Sequence, residues 1–301
     1  SGAKPIGQES GLLTIKQLIQ EGIAISNRPV GSIRKMDLLD DYVTYLIDRF
    51  PKKTFKKRKL KVVIDAGNGM AGFTAPSVMK KLNVELIPMY FDLDGDFPNH
   101  EANPIEPKNL KDLQKRVKKE KADLGLAFDG DADRCFLVDE NGETVDPSLL
   151  TALIASRELA KHPGATIIHS LISSRTVVEV INELGGNPVR SRVGHSYIKA
   201  LMAETGAIFG GEHSGHFYFK DFWRADSGAL AALHALAALG ESDQTISQLL
   251  APFKRYVASG EVNSQVADAA VVIKAIKEKY ASQSEFKIDE LDGLTASTST
   301  W

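Results

Sequence analysis

Residues 129–134 read Asp-Gly-Asp-Ala-Asp-Arg, so that three carboxylates and a guanidinium occupy six consecutive positions. Carboxylates at such short spacing repel one another unless a cation lies among them. Mg²⁺ prefers oxygen ligands and typically takes only a few carboxylates, which leaves coordination positions for water and for a phosphate oxygen. We therefore predict that Asp129, Asp131 and Asp133 bind Mg²⁺. Arg134 is expected to offset the remaining negative charge or to hold a phosphate, as in metal-dependent phosphoryl transfer.

Two other interpretations of this acidic loop fit the sequence less well. In an EF-hand the aspartates would hold positions 1, 3 and 5 and Glu140 position 12, but position 6 is Arg134, where the sharp turn requires Gly. A solvated acidic turn is common for one Asp-Gly pair, but less so for three Asp followed by Arg. The apolar residues on both sides, 124–128 and 135–138, predict buried strands that hold the loop between rigid edges.

A second polar cluster lies in residues 211–216, which read Gly-Glu-His-Ser-Gly-His. Glu and Ser side chains can exchange hydrogen bonds with vicinal sugar hydroxyls, and a His can move a proton at neutral pH. The two histidines leave a zinc site open on spacing alone, but nitrogen ligands fit poorly with the oxygen-only loop at 129–133. The predicted substrate-binding residues of this loop are Glu212, His213, Ser214, Gly215 and His216, and His216 is also a candidate acid or base.

A shorter signal lies in residues 192–199, Arg-Val-Gly-His-Ser-Tyr-Ile-Lys. Gly194 permits a turn, and His195 and Lys199 could meet a phosphate at the start of a helix. Because the sequence also contains the other two polar loops, we consider His195 a candidate substrate-binding and catalytic residue. The histidines without comparable neighbours, which we assign structural roles, are His100, His162, His169 and His234.

Residues 67–72, Gly-Asn-Gly-Met-Ala-Gly, satisfy the dinucleotide-binding pattern G-x-G-x-x-G between a predicted strand and a predicted helix. Asp92 lies about twenty residues further on, as that pattern requires. Alone, this segment favours an NAD-dependent oxidoreductase, which is our competing hypothesis. However, Asp65 would place a carboxylate near a bound pyrophosphate, and the simpler interpretation is a tight strand-to-helix turn.

Hydrophobic periodicity predicts the elements that position these loops. The predicted helices are 12–23, 38–50, 72–82, 110–120, 147–160, 176–184, 198–205, 229–239 and 267–280, and the predicted strands are 60–65, 84–90, 123–128, 135–138, 166–170, 188–192, 207–209 and 217–219, followed by strand-like residues from 257 and an incomplete strand pair. This order predicts an α/β protein with two consecutive three-layer α/β domains, mixed and mostly parallel sheets, and partial flanking domains.

The composition narrows the class of protein. The 301 residues, with 43% hydrophobic and 25% charged residues, are typical of a globular protein of two or three domains. A net charge of −2 gives no attraction to nucleic acid or to a membrane surface, and the basic run 52–61 is interpreted as a solvated linker. The single Cys135 excludes an internal disulfide. We predict a cytoplasmic protein that binds neither nucleic acid nor a membrane.

Together these segments resemble the α-D-phosphohexomutases, and among them the bacterial phosphomannomutase/phosphoglucomutase branch. The matching segments are 65–72, 97–100, 103–104, 129–134, 192–195 and 211–216, in the order and spacing of that family over nearly the whole chain. The resemblance implies four domains around one cleft, with a phosphoserine loop, a metal loop, a sugar loop and a phosphate loop in turn. It implies Mg²⁺ as cofactor and a hexose phosphate as substrate. The implied reaction interconverts the 1-phosphate and 6-phosphate of mannose or glucose through the phosphoserine and a bisphosphate intermediate.

The same likeness implies a role for each predicted site residue. Asp129, Asp131 and Asp133 would bind Mg²⁺ together with a phosphoserine oxygen, Arg134 would reach the phosphoryl group or the sugar, Glu212 and Ser214 would hold sugar hydroxyls, and His195 and His216 would line the cleft as substrate contacts and acid or base groups. Ala132 and His213 stand where the amino-sugar branch typically has Gly and Gln, which favours a neutral hexose phosphate.

The sequence departs from the family pattern because neither Thr-Ala-Ser-His-Asn-Pro nor Arg-x-Ser-Asn-Thr occurs in it. We therefore expect residues 1–53 to be a remnant of the first domain with a linker helix, and residues 257–301 to begin an incomplete C-terminal domain. Residues 54–146 would form the metal-binding domain and residues 147–256 the sugar-binding domain. The chain is expected to be an inactive fragment. The sequence decides neither between monomer and dimer nor between mannose and glucose.

Overall fold

Two five-stranded sheets follow one another along the chain, and both have the same strand topology. The computed structural model describes residues 6–7, 11–23, 31–258, 260, 262 and 264–300. In each sheet, three parallel strands are extended at one edge by two antiparallel strands. The prediction of two consecutive α/β domains with mixed sheets is therefore confirmed.

The first sheet has the strand order β2-β1-β3-β4-β5. Its strands are β1 (Leu60–Asp65), β2 (Val84–Met89), β3 (Leu124–Phe128), β4 (Cys135–Val138) and β5 (Thr144–Val145). Because side chains alternate along a strand, Val62 and Val63 of β1 face opposite sides of the sheet. Val62 packs with helix α3 (Ala71–Lys80), and Val63 packs with helix α4 (Lys111–Glu120). Helices on both faces make this domain three-layered.

The second sheet repeats this arrangement with the order β10-β9-β8-β6-β7. Its strands are β6 (Thr166–Ser170), β7 (Asn187–Ser191), β8 (Phe209–Gly211), β9 (Phe217–Phe219) and β10 (Ala225–Asp226), and its helices are α5 (Pro147–Lys161), α6 (Arg175–Glu183), α7 (His195–Thr205), α8 (Gly228–Glu241) and α9 (Ile246–Leu250). Ile167 of β6 packs in one core cluster with α5, α6 and α8, whereas Ile168 packs with α7 on the other face. This domain is also three-layered.

Helix α8 joins the two domains. Twelve of its fourteen residues are buried, and it shares one core cluster with Leu126 of β3 and Phe209 of β8. The helix is rich in alanine, which allows both sheets to approach it closely. At its start, a Cβ atom on Gly228 would lie 2.7 Å from the carbonyl oxygen of Arg134. The acidic loop of the first domain is therefore fixed relative to the second domain.

Further elements precede or follow the two sheets and their helices α3–α9. They are helices α1 (Leu13–Glu21), α2 (Leu39–Ile47) and α10 (Ala269–Ala281), and a hairpin of β11 (Lys287–Asp289) and β12 (Thr295–Ser297). Helix α2 buries Val43 and Leu46 in the core that contains α8, whereas α1 and α10 bury none of their residues. In the part of the chain that the structure describes, no helix is both long enough and apolar enough to cross a bilayer.

Three predicted elements differ from the structure. Helix α7 begins at His195 instead of residue 198, because Gly194, at φ +122°, ends the preceding turn. The strand predicted at 207–209 lies at Phe209–Gly211, and its glycine is required because a Cβ atom on Gly211 would lie 2.5 Å from Thr151 of α5. The prediction of strand-like residues from 257 was wrong for residues 257–258, which are irregular. Residues 259, 261 and 263 of that segment lie outside the described residues.

Candidate active site

The acidic loop, residues 129–134, connects β3 to β4 at the carboxyl end of a parallel strand. One oxygen each of Asp129, Asp131 and Asp133 lies within 4.8 Å of the others. Mg²⁺ binds oxygen at about 2.1 Å in an octahedron, so that opposite ligands are about 4.2 Å apart. A small inward movement would therefore bring the three oxygens into coordination distance. These residues fit a hard divalent cation.

Ala132 gives this loop its shape. Its φ is +64°, a left-handed conformation that costs a non-glycine residue on the order of 1–3 kcal/mol. It stands between Asp131 and Asp133, in a loop where one oxygen of each of these carboxylates lies within 4.8 Å of the other. Strain of this kind is concentrated at functional sites, because only the surrounding structure can maintain it.

Arg134 holds the first aspartate in place. Its backbone N–H donates to Oδ1 of Asp129 at 3.1 Å and its Nε to Oδ2 at 2.7 Å, while Nη1 donates to Oδ1 of Asn103 at 3.0 Å. The guanidinium thus offsets the negative charge of the buried Asp129. Nη2 makes no hydrogen bond to any described residue. Arg134, Asp129 and Asn103 line a cavity of about 470 Å³ beside the loop.

Within residues 67–72, Gly69 allows a close packing contact with the acidic loop. The N–H of Met70 donates to the carbonyl oxygen of Gly130 at 2.9 Å, and a Cβ atom on Gly69 would lie 2.6 Å from that oxygen. The N–H of Gly67, which a pyrophosphate would need, donates to the carboxylate of Asp65 at 2.9 Å. The structure therefore favours the tight turn over dinucleotide binding, and nothing in it supports the oxidoreductase hypothesis.

His100 also contacts residues in this region. Its Nε2 lies 3.0 Å from Oδ2 of Asp65, and its Nδ1 lies 2.8 Å from the carbonyl oxygen of Glu101. The hydrogen bond to Asp65 raises the pKa of His100 above its usual value, against a smaller opposing effect of burial. This pair ties the loop after β2 to the end of β1.

The second polar loop, residues 211–216, connects β8 to β9 and therefore holds the same topological position as the acidic loop in the first sheet. Its ends are closed by a hydrogen bond from the N–H of Glu212 to the carbonyl oxygen of His216 at 3.0 Å. Gly215 has φ +87°, and a Cβ atom on it would lie 2.3 Å from the ring of Phe136. Ser214 Oγ lies 2.8 Å from Nδ1 of His216 and orients that imidazole.

The two loops meet. The N–H of Cys135 donates to the carbonyl oxygen of Gly215 at 3.1 Å, and Arg134 and His216 form an isolated antiparallel bridge. Nε2 of His216 lies 3.5 Å from Oδ1 of Asp133. The structure thus brings together two sets of predicted residues that lie about eighty positions apart in sequence.

His216 carries a raised pKa at this junction. Burial lowers the pKa, but the carboxylates of Asp133, Glu212 and Asp226 together outweigh it. The imidazole therefore holds a proton more firmly than a free histidine, which suits a group that donates a proton near neutral pH.

The remaining predicted residues lie around this junction. Glu212 is deeply buried, and its carboxylate accepts hydrogen bonds from Tyr218 and Gly194. His195 is exposed at the start of α7, directly after Gly194. His213 is half-buried, with Nδ1 3.7 Å from a carboxylate oxygen of Asp146, so that it faces the start of α5 and not the acidic loop.

Asp226 is a site residue that we did not predict. One of its oxygens lies within 4.8 Å of atoms of both Asp133 and His216, and Nζ of Lys199 lies 2.9 Å from its Oδ1. Because Lys199 already supplies a positive charge there, this trio fits a cation less well than the three aspartates of the acidic loop. Asp226 is a single acidic residue in a short strand, so only the pairing of β10 with β9 could have revealed it.

Comparisons with known proteins agree with this geometry. Residues 40–142 match the family model described as phosphoglucomutase/phosphomannomutase, alpha/beta/alpha domain II, and residues 146–256 match domain III. A phosphomannomutase of Salmonella montevideo is 35% identical over 308 positions, which cover 100% of this chain and 67% of that protein. A phosphomannomutase/phosphoglucomutase of Pseudomonas aeruginosa is 38% identical over 268 positions, 88% of this chain and 57% of that protein.

Among solved structures, a phosphoglucomutase/phosphomannomutase family protein from Burkholderia thailandensis superposes with a TM-score of 0.85 at 32% identity. The match covers 97% of this chain and 61% of that one. The chain therefore spans between about half and two thirds of the length of these relatives.

Proposed function

Because the chain belongs to the phosphoglucomutase/phosphomannomutase family of α-D-phosphohexomutases, we propose that it contributes the metal-binding and sugar-binding parts of an enzyme that interconverts hexose 1-phosphate and hexose 6-phosphate. The proposed sugar is mannose or glucose. The observation that carries the proposal is the contact between the two loops, in which Asp133 and His216 lie 3.5 Å apart. One loop offers ligands for a metal and the other offers groups that hydrogen-bond sugar hydroxyls.

In this proposal, Asp129, Asp131 and Asp133 hold Mg²⁺, which when bound neutralises negative charge on the phosphoryl group. Arg134 keeps the buried Asp129 carboxylate in place through two hydrogen bonds. The Nη2 group of Arg134 remains available to a phosphate oxygen beside the cavity that Arg134 lines.

The sugar loop supplies the remaining groups. Glu212 and Ser214 accept hydrogen bonds from hydroxyls and so orient the sugar ring. His195, exposed at the start of α7, is a further substrate contact, whereas His213 belongs to the sugar loop but faces the start of α5. His216, whose Nε2 lies 3.5 Å from Oδ1 of Asp133, donates a proton to the sugar oxygen that loses the phosphoryl group or accepts one from the hydroxyl that gains it. Such positioning, together with charge neutralisation, is what phosphoryl transfer requires of a protein.

The proposal extends to the organisation of the chain. Residues 54–146 form the metal-binding domain and residues 147–256 the sugar-binding domain, with 1–53 and 257–301 belonging to the flanking domains. A phosphoserine loop of the family type does not occur in the 301 residues, so we expect this chain alone not to turn over hexose phosphate. We propose a cytoplasmic location.

Calorimetric titration of the chain with mannose 1-phosphate in the presence of Mg²⁺ tests the proposal. We expect saturable binding that is weakened by Glu212→Ala and by removal of Mg²⁺ with a chelator. Binding that survives Glu212→Ala unchanged would contradict the assignment of the sugar loop. Saturable binding of NADH, followed by its fluorescence, would instead favour the oxidoreductase hypothesis.

A further inference from the structure

Glu212 is a carboxylate held inside the protein. It is 2% exposed, and no Lys or Arg nitrogen of the described residues lies within 4 Å of its oxygens. Burying an ionised carboxylate costs far more free energy than burying a neutral polar group, unless hydrogen-bond donors replace its water. Those donors are the N–H of Gly194, 3.0 Å from Oε1, and the hydroxyl of Tyr218, 2.6 Å from Oε2. Nδ1 of His216 also lies 3.6 Å from Oε2, beyond hydrogen-bond distance, so the two hydrogen bonds that orient this carboxylate come from Gly194 and Tyr218.

Tyr218 is well suited to fix that orientation. It is fully buried, and its ring packs in a core cluster with Ile168, Ile198 and Met202. The ring cannot turn without disturbing the contact between α7 and the sheet. Burial and the adjacent carboxylate of Glu212 raise the pKa of Tyr218, so its hydroxyl stays protonated and remains a hydrogen-bond donor.

The same carboxylate connects two other parts of the site. The N–H of Gly194 belongs to the turn that starts α7, and His195 is the first residue of that helix. A rotation of the Glu212 side chain would therefore release the Gly194 turn at the same time as it removed the acceptor offered to the sugar. Tyr218 thus acts on both contacts through one hydrogen bond.

We propose that Tyr218 is a positioning residue for sugar recognition: its hydroxyl holds Glu212 in the orientation that accepts a sugar hydroxyl and anchors the turn before His195. This inference rests on the proposed function, because it assumes that Glu212 faces a hexose. Tyr218 itself touches neither the acidic loop nor, in this view, the substrate.

The test compares the chain with Tyr218→Phe, which removes the hydroxyl and keeps the ring. The matched control is Tyr256→Phe, which removes a tyrosine hydroxyl that donates to Glu179 on the outer surface. The probes are mannose 1-phosphate and its 3-deoxy analogue, each titrated calorimetrically with Mg²⁺. The 3-hydroxyl is chosen because it belongs to both vicinal pairs, 2,3 and 3,4, of the hexose ring.

We expect the unmodified chain and Tyr256→Phe to bind mannose 1-phosphate at least tenfold more tightly than the deoxy analogue, since a hydrogen bond to a charged group is lost. In Tyr218→Phe this ratio should fall toward one, while binding of the deoxy analogue changes little. A merely structural defect would weaken both ligands alike and leave the ratio unchanged, and that result would overturn the inference.

Hydrogen exchange of the Gly194 amide gives a readout that needs no sugar. Faster exchange in Tyr218→Phe than in Tyr256→Phe would support the positioning of Glu212, and equal exchange would overturn it. If the unmodified chain binds no mannose 1-phosphate, the proposed function fails, and the Gly194 amide then decides separately whether Tyr218 orients Glu212.

Discussion

The imidazole Nε2 of His216 lies 3.5 Å from Oδ1 of Asp133, and this pair joins the sugar loop to the acidic loop. Each residue follows the third parallel strand of its own sheet, at the same topological position. The connection is rigid because Cys135 and Gly215 share a backbone hydrogen bond beside it. The site is therefore built where the loops that follow equivalent strands of two similar sheets, β3 and β8, contact each other.

Asp131→Asn should weaken binding of Mg²⁺ by at least tenfold, because a neutral amide replaces an anionic ligand of a hard cation. Asp131 is exposed and makes no hydrogen bond to a described residue, so the fold should be unaffected. Calorimetric titration with Mg²⁺ measures the effect. The control is Asp243→Asn, whose side chain is 91% exposed and pairs with Lys57 outside the acidic loop, and it should bind Mg²⁺ normally. Equal affinity in both variants would argue against the metal loop.

Arg134→Met should destabilise the protein by about 2 kcal/mol, because the buried carboxylate of Asp129 loses its counter-charge and one side-chain donor. The loss is smaller than for a fully buried pair, since part of Arg134 is exposed to water. Urea unfolding measures it. Arg255→Met, which breaks ion pairs with Glu179 and Glu183 on the surface, should cost much less. A larger loss in Arg255→Met than in Arg134→Met would contradict this account.

His100 should titrate above its usual pKa of about 6.5, because of its hydrogen bond to Asp65. A pKa that is higher in the folded than in the unfolded state gives stability that is complete below about pH 6.5 and is lost as the pH rises through the folded value. NMR titration of the imidazole measures the pKa directly. Asp65→Asn should lower it, and an unshifted His100 in the unmodified chain would show that the pair does not form.

Gly69→Ala should disturb the acidic loop, because the new methyl group would lie 2.6 Å from the carbonyl oxygen of Gly130. The methyl group is fixed to the backbone and its neighbour is a backbone carbonyl, so a side-chain rotation cannot relieve the strain. We expect the free energy of unfolding to fall by about 1–3 kcal/mol and Mg²⁺ binding to weaken. Thermal unfolding and Mg²⁺ titration measure the two effects. Gly95→Ala has open space around its Cβ position and should change neither. A stable Gly69→Ala variant with normal affinity would rule out the packing role of this glycine.

The acidic loop could be predicted from sequence because its residue types are unusual and two apolar runs define its ends. The sugar loop followed from a dense polar cluster between glycines. Neither Asp226 nor Tyr218 carries such a local signal, since each acts through strand pairings or packing with distant residues. The burial of the Glu212 side chain was not predicted, for the same reason. The start of β8 was misplaced because Gly210 and Gly211 resemble a loop, although close packing of Thr151 requires a glycine within the strand.

The central claim is that the two loops form one site for Mg²⁺ and a hexose phosphate, and the coupling between the two ligands tests it most directly. Mg²⁺ affinity should be measured by calorimetry with and without saturating mannose 1-phosphate. We predict that the sugar phosphate raises Mg²⁺ affinity by at least about fivefold, and that Mg²⁺ raises the affinity for the sugar phosphate by the same factor, as linkage requires. Mg²⁺ affinity that is identical in the presence and absence of mannose 1-phosphate would contradict the claim.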